Sequence, residues 1–183
     1  MLSSATTDED LVCNMDALNS PEPTAHREAV QDAWVDYNGH MNVAYYVLVF
    51  DHATDVLLDH IGLDAAGRDA VGGSVFVVEA HVTYENEVMA GEMLRVETRV
   101  LDFDEKRMHV FHRMVRDDDD DDGDDITVAT NELMILYVDM TTRRSAPMPE
   151  AVRAHLKRLF DNHAETPRPA QAGRAIGIRR RPA

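Results

Sequence analysis

Apolar residues recur every three or four positions between residues 43 and 61, and this spacing predicts the clearest helix of the chain. Asn42 precedes the pattern as a helix N-cap, and Gly62 follows it at a position that suits a C-terminal cap. The apolar side of this helix is broad, so we expect other elements to wrap around it. Its members are Val43, Tyr46, Val47, Phe50, Ala53, Thr54, Leu57 and Ile61.

Four later segments alternate apolar and polar residues, which predicts strands over residues 74–84, 92–101, 107–115 and 126–139. In the first of them, the alternation places Phe76 with Val78 on one face and Glu79 with His81 on the other. Weaker patterns indicate a first strand within residues 26–34, a loop over 67–73 and a last helix over 149–163. Consecutive strands with one long helix indicate an α+β fold, in which an antiparallel sheet curves around that helix.

The two ends of the chain lack such periods. We expect residues 1–25 to form a mobile arm, residues 26–165 the folded domain and residues 166–183 a basic tail. The tail is either an extended random segment or an arm that pairs with the acidic body or with a ligand phosphate. Residues 117–125 are eight aspartates and one glycine, and we interpret them as a solvated hairpin loop because they lack the spacing of an EF-hand loop.

The charge of the chain narrows its possible partners. Its 183 residues include 34 acidic and 18 basic side chains, a formal net charge of −16 at pH 7. Such a surface repels phosphate polymers and anionic membranes, so we expect no nucleic-acid and no membrane partner. Lys106 and Lys157 are the only lysines, and this bias resembles that of proteins from salt-loving organisms.

Cysteine usage and hydropathy indicate the compartment. Cys13 is the single cysteine, which excludes an internal disulfide and the CxxC spacing of zinc sites. The sequence has no run of 18 apolar residues, and its polar, acidic start does not resemble a signal peptide. We therefore expect a soluble, cytoplasmic protein.

One dense cluster of chemically able residues, at positions 36–46, precedes and enters the long helix. A turn at this place puts Asp36 beside the helix N-terminus and leaves backbone amides near Gly39 free to stabilise a carbonyl oxygen. Asp36 can activate water or attack as a nucleophile, and His40 can move a proton near neutral pH. Alternatively, Asp36, Asn38 and Asn42 only cap the helix.

These residues resemble the start of the long helix in hotdog-fold thioesterases. The 4-hydroxybenzoyl-CoA thioesterase group has an Asp at the position of Asp36, three residues before a Gly that matches Gly39. The plant acyl-carrier-protein thioesterases have a run that matches residues 36–42, and they carry a functional Glu at the place of Glu87. Residues 36–41, 51–55, 78–81, 104–112 and 172–177 are most similar to the betainyl-CoA thioesterases of carnitine degradation.

The resemblance implies a homodimer, or a tetramer built from such dimers, that hydrolyses an acyl-CoA at its subunit interface. It implies no metal and no cofactor beyond the coenzyme A of the substrate. Asp36 would activate the attacking water or attack the thioester itself, His40 would assist proton transfer, and Glu87 is the alternative base. Asn38 and the amides of residues Gly39 to Met41 would hold the carbonyl oxygen.

A betainyl group carries a permanent cation, which aromatic faces or a carboxylate can bind. The remaining substrate-binding candidates are therefore aromatic, polar or acidic: Trp34, Tyr45, Asn42, Tyr46, Phe76, Glu79 and His81. Trp34 is equally consistent with a core position, and the last two with a salt-bridged strand face. Arg107 and Arg174 are candidates for the CoA phosphates, although Arg107 also fits a simple hairpin turn.

Two rival functions remain at this level. The first is a general thioesterase for medium- or long-chain acyl-CoA, which a channel lined by small apolar residues would favour. The second is a non-catalytic hotdog module that only binds acyl-CoA or a partner, against which the intact Asp36, Asn38, His40 and Glu87 speak.

Overall fold

A computed structural model describes residues 24–117, 125–164 and 166–178 of the chain. Its helices are α1 (Val43–His60), α2 (Ala65–Val71) and α3 (Glu150–His163). Its strands are β1 (Thr24–Ala29), β2 (Gly73–Tyr84), β3 (Met93–Phe103), β4 (Arg107–Arg116), β5 (Thr127–Asp139) and β6 (Arg144–Ser145). No helix among these residues is long and apolar enough to cross a bilayer.

The five long strands form one antiparallel sheet in the order β1-β3-β4-β5-β2, and β6 pairs with β5. Helix α1 packs on the inner face of this sheet, where two clusters of buried side chains surround it. Phe50 and Val49 lie in the cluster at its N-terminal half, and Leu57 lies with Leu156 of α3 in the other. The predicted α+β hotdog architecture, a sheet curved around one long helix, is confirmed.

The buried stripe of α1 is narrower than predicted at its start. Val43 and Val47 are 57% and 44% exposed, whereas Val49 and Leu58 are buried. The sheet covers the helix from one side only, so the turn nearest the N-terminus keeps one apolar flank in solvent. This flank adjoins the cavity described below.

Two local expectations were wrong, and one short strand was not predicted. Residues 67–73 are not a loop: α2 occupies most of them because Asp64 caps it through a hydrogen bond to the Gly67 amide at 2.7 Å. The first strand begins at Thr24, inside the expected arm, and a 3-10 turn over Asp32–Trp34 follows it. The two-residue strand β6 is too short to leave a period in the sequence.

A bulge in β2 overturns the predicted division of its faces. The register against β5 shifts between Val77 and Glu79, so that two residues of β2 occupy the space of one. Phe76 consequently shares the outer face with Glu79 and His81, instead of opposing them. Alternation alone could not reveal a single inserted residue.

The described part of the basic tail lies against the sheet, which agrees with the predicted arm that pairs with the acidic body. Arg99 donates hydrogen bonds to the carbonyls of Thr166 and Pro167 at 2.9 and 3.0 Å. The amide of Gly173 donates to the Glu132 carboxylate at 2.7 Å. Most of the acidic block lies outside the described residues, as do residues 1–23 of the expected arm.

The two ends of the acidic block are held by the sheet. Arg95 on β3 forms ion pairs with Asp117 and Asp125 at 3.2 and 2.7 Å. Arg95 also pairs with Glu97, two residues along the same strand. These contacts fix where the block leaves and rejoins the sheet.

Candidate active site

The loop over residues 35–42 closes on itself before α1 begins. Val35 and Met41 form an isolated antiparallel bridge, and the amide of Asp36 donates to the carbonyl of His40 at 3.1 Å. Gly39 has a φ of +87°, a left-handed conformation that favours glycine at this turn. The loop is therefore a compact hairpin that presents its side chains at the N-terminus of the helix.

Asp36 is tied to that helix terminus. Its Oδ1 accepts a hydrogen bond from the Asn38 amide at 2.8 Å, and its Oδ2 accepts one from the side-chain amide of Asn42 at 3.4 Å. Asn42 in turn caps α1, because its Oδ1 accepts the amide of Ala44 at 3.0 Å. The predicted N-cap is confirmed, and it also orients the carboxylate.

The expected set of free amides is wrong. The Gly39 amide donates to the Asp36 carbonyl at 3.0 Å, and the Met41 amide donates to the Val88 carbonyl at 2.9 Å. Closure of the hairpin therefore occupies the first donor, and the contact with Val88 occupies the second. Within the described part of the chain, the amides of His40 and Val43 make no such bond, and Val43 stands in the first turn of α1. The positive end of the helix dipole and the Val43 amide therefore attract negative charge at the same place.

An open cavity of about 240 Å³ lies at this helix terminus. It is lined by His40, Met41, Val43, Tyr46, Tyr84, Glu85, Asn86 and Glu87. The Nε2 of His40 lies 3.9 Å from Oε2 of Glu87, so these two candidates meet at the wall. Asp36 stands beside the cavity, in the same hairpin as His40, rather than in its lining.

Two tyrosines form an aromatic corner of the cavity. The ring centroids of Tyr46 and Tyr84 are 5.3 Å apart, and the rings are nearly perpendicular at 85°. The Tyr46 hydroxyl donates to the Asn86 carbonyl at 3.3 Å, and the Tyr84 hydroxyl donates to the Val43 carbonyl at 3.5 Å. Burial raises the pKa of both hydroxyls, so they remain protonated at neutral pH.

Five substrate-binding candidates beyond the hairpin, among them Tyr45, do not line this cavity within one chain. Trp34 is only 6% exposed and stacks on Tyr45, with ring centroids 5.4 Å apart, so it is a core residue. Phe76 stands eight residues before the end of β2 and packs under the guanidinium of Arg143, 5.3 Å from the ring centroid. Glu79 and His81 lie on the outer face of the same strand.

The two arginine candidates differ in their availability. Arg107 binds Oδ2 of Asp104 through Nε and Nη2, at 2.8 and 2.5 Å, which is the hairpin-turn alternative. These hydrogen bonds hold the pKa of Asp104 at about 2. In the sheet, Arg107 on β4 lies opposite Leu136 on β5, and this position is about 20 Å along the sheet from the Tyr84 end. Arg174 is exposed near the end of the described tail.

The sequence reasoning missed Tyr84, Glu85 and Asn86 as site residues. They end β2 and begin the turn that contains Glu87, so the only local signal was their position next to that candidate. The tail approaches at the same point, because the side-chain amide of Gln171 donates to Oε1 of Glu85 at 3.0 Å.

One cluster in the described ranges has the donor atoms of a metal site. The nearest nitrogens of His26 and His52 and the carboxylate of Glu28 lie within 4.8 Å of one another. Burial acts to raise the pKa of Glu28, but hydrogen bonds from His52 at 2.6 Å and His26 at 3.2 Å outweigh it and lower the pKa. His52 follows the N-cap by ten residues, about 15 Å along the helix. The cluster fastens β1 to α1, and the expectation of a metal-free site remains a prediction.

An antiparallel sheet curved around one long helix defines the hotdog class. A sequence model described as the thioesterase-like superfamily matches residues 30–156, and the chain belongs to this superfamily. It is 40% identical over 155 residues to a betainyl-CoA thioesterase of Pseudomonas aeruginosa, covering 85% of this chain and 94% of that protein.

Two further relatives extend this likeness. An Agrobacterium fabrum protein described as L-carnitine dehydrogenase/betainyl-CoA thioesterase is 44% identical over 151 residues, which are 82% of this chain and 30% of that protein. A Staphylococcus aureus protein solved in complex with CoA superposes with a TM-score of 0.79 at 27% identity, covering 86% of this chain and 96% of that chain. The resemblance found in the sequence is confirmed.

Proposed function

We propose that this protein is an acyl-CoA thioesterase and that its substrate is betainyl-CoA. The observation that carries the proposal is the hairpin that fixes Asp36 at the N-terminus of α1, beside an open cavity and the Val43 amide. Membership of the thioesterase-like superfamily supports the reaction. The 40% identity to the Pseudomonas aeruginosa betainyl-CoA thioesterase supports the acyl group.

The groups present support hydrolysis by a simple route. The thioester oxygen accepts a hydrogen bond from the Val43 amide, where the helix dipole favours developing negative charge. Asp36 takes a proton from water as the water oxygen bonds to the carbonyl carbon. The carbon–sulfur bond then breaks, and the departing thiolate takes a proton that His40 can deliver. Direct attack by Asp36, with water cleaving the resulting anhydride, uses the same geometry.

We also propose that the active unit is a homodimer joined along β2. This strand is at the edge of the sheet, so its outer backbone groups are unpaired in one chain. Three apolar residues of β2 are exposed in one chain: Phe76 by 39%, Val77 by 48% and Val78 by 57%. Antiparallel pairing of two such edges would bring the start of β2 in a second copy toward the cavity at the Tyr84 end. Assembly into a tetramer and a cytoplasmic location remain predictions.

A pair of matched variants tests the assignment of the carboxylate. Asp36→Asn keeps the size of the side chain but removes the base, so we expect kcat to fall at least about 100-fold. Glu87→Gln should lower kcat less, because the Glu87 side chain is 65% exposed and, among the described residues, its carboxylate contacts only His40, at 3.9 Å. Free-thiol release measures both. Full activity in Asp36→Asn would refute this mechanism, and a larger loss in Glu87→Gln would make Glu87 the principal base.

A further inference from the structure

The chemistry of a betaine thioester restricts where its cation can bind. A single methylene group separates the quaternary nitrogen from the carbonyl carbon. A group that binds the cation must therefore stand close to the amide that holds the carbonyl oxygen. The trimethylammonium group has no N–H to donate, so aromatic faces and carboxylates are the protein groups that suit it.

The aromatic corner of the cavity meets this requirement. The Tyr84 hydroxyl reaches the carbonyl of Val43, the residue whose amide is available at the helix terminus. Tyr46 lies three residues further along α1, and its ring stands nearly perpendicular to that of Tyr84. Tyr84 is 48% exposed and presents most of the accessible ring surface, and Tyr46, only 4% exposed, closes the corner. A cation is attracted to a ring face over a distance of about 6 Å.

The electrostatics of the lining favour the same ligand. Glu85 and Glu87 both line the cavity, and the lining contains no lysine or arginine. Glu85 is bound by the neutral amide of Gln171, and Glu87 has only the His40 contact at 3.9 Å. Neither carboxylate is paired with a permanent cation among the described side chains. Arg116 donates to the backbone carbonyl of Glu87 at 3.0 Å, but its ion pair is with Glu92 at 3.3 Å. The cavity therefore combines aromatic surface with two carboxylates that form no ion pair with a lysine or arginine among the described residues.

We propose that Tyr46 and Tyr84, together with Glu85 and Glu87, bind the trimethylammonium group of the acyl moiety, an inference that rests on the proposed function. This assignment replaces Trp34 and Phe76 as aromatic partners of the cation. Neither of these residues lines the cavity: Trp34 stacks on Tyr45, and Phe76 packs under the Arg143 guanidinium.

An uncharged substrate of the same shape isolates the recognition of charge. In 3,3-dimethylbutyryl-CoA, a carbon atom replaces the quaternary nitrogen of betainyl-CoA. The measured quantity is the ratio of kcat/KM for betainyl-CoA to kcat/KM for this isostere, by free-thiol release. Wild type should favour betainyl-CoA. Tyr84→Leu should lower the ratio about tenfold because it removes the ring, whereas Tyr84→Phe, which keeps the ring, should change it less than twofold.

The outcomes separate this inference from the function on which it rests. If wild-type protein hydrolyses neither thioester, the proposed function is wrong. If it prefers betainyl-CoA and Tyr84→Leu leaves the ratio unchanged, the binding site assigned here is wrong while the function stands. Glu85→Gln provides a second test, since loss of the carboxylate should also lower the ratio severalfold. An unchanged ratio in Glu85→Gln overturns the role assigned to that carboxylate.

A measurement on the unaltered protein makes the test independent of how well a variant folds. Glycine betaine and 3,3-dimethylbutanoate differ only in the charged centre. Glycine betaine should inhibit hydrolysis of the isostere more strongly than 3,3-dimethylbutanoate does. Equal inhibition would contradict a site that selects the cation.

Discussion

His112 should make the stability of this protein depend on pH, because its ring is fully buried between α1 and the sheet. The hydroxyl of Thr54 donates to the Phe50 carbonyl at 2.9 Å, so it can only accept from Nε2 of His112 at 3.0 Å. Nδ1 is then unprotonated and accepts from the Thr98 hydroxyl at 2.9 Å. The ring is thus a neutral tautomer, stacked on Phe50.

Burial lowers the pKa of His112 from 6.5 to about 3. The unfolded chain binds a proton at this residue below about pH 6.5, and the folded chain does not. The contribution to stability is therefore complete above the unfolded pKa and declines as the pH falls. The decline is about 1.4 kcal/mol for each pH unit between these two values, or about 2 kcal/mol at pH 5.

A His112→Leu variant isolates this effect. It removes two hydrogen bonds and strands the Thr98 hydroxyl, so at pH 7.5 we expect the free energy of unfolding to fall by about 2–3 kcal/mol. Urea denaturation of both proteins at fixed salt and protein concentration should show this deficit shrinking by about 2 kcal/mol at pH 5. A deficit that stays constant between pH 7.5 and 5 would refute the neutral buried ring.

Two further predictions concern the stability of the fold. Glu28→Gln should lower the free energy of unfolding at neutral pH by about 1–2 kcal/mol. This difference should vanish as the pH falls through the depressed pKa of Glu28, because the protonated carboxyl no longer attracts the histidines. Urea titrations at several pH values check this, and a pH-independent difference contradicts it. Gly39→Ala should lower the free energy of unfolding by about 1 kcal/mol, because the residue has a φ of +87° although the space at its Cβ position is open. Gly73→Ala should lower it more, because the new Cβ would lie 2.0 Å from the Tyr137 hydroxyl. Thermal unfolding ranks the two variants, and a lower melting temperature for Gly39→Ala than for Gly73→Ala would contradict this prediction.

The elements of this fold were readable from the sequence where the signals are local. Asn42 and Gly62 mark the limits of α1 because caps are chosen by residues within one turn of the helix end. The sequence predicted the ends of strands β2 to β5 within about two residues, since one buried face enforces a period of two. Neither inference requires the angles at which the elements pack against one another.

What the sequence could not provide depends on contacts between distant residues. The Met41 amide is consumed by the Val88 carbonyl, 47 positions later, so the available donor moves to Val43. The bulge beside Val78 changes the face of Phe76, and no periodic pattern encodes it. Tyr84 joins the site only because the end of β2 meets the start of α1.

The acidic composition argued against polyanionic partners, and the cavity gives that charge a more specific meaning. A lining with Glu85 and Glu87 and no lysine or arginine opposes an anionic acyl group and favours a cationic one. The phosphates of CoA must then lie away from this lining. Arg174 is exposed on the tail, which reaches the same end of the sheet through Gln171.

Free-thiol release from a panel of betainyl-, butyryl- and palmitoyl-CoA, at high salt and with the full-length chain, decides whether the chain has the proposed function. We expect kcat/KM for betainyl-CoA to exceed that for either neutral thioester by at least about tenfold, the discrimination available from one well-bound cation. Preference for palmitoyl-CoA would establish instead a general long-chain thioesterase. Release of thiol from none of the three would contradict the proposed enzyme and favour a module that only binds acyl-CoA.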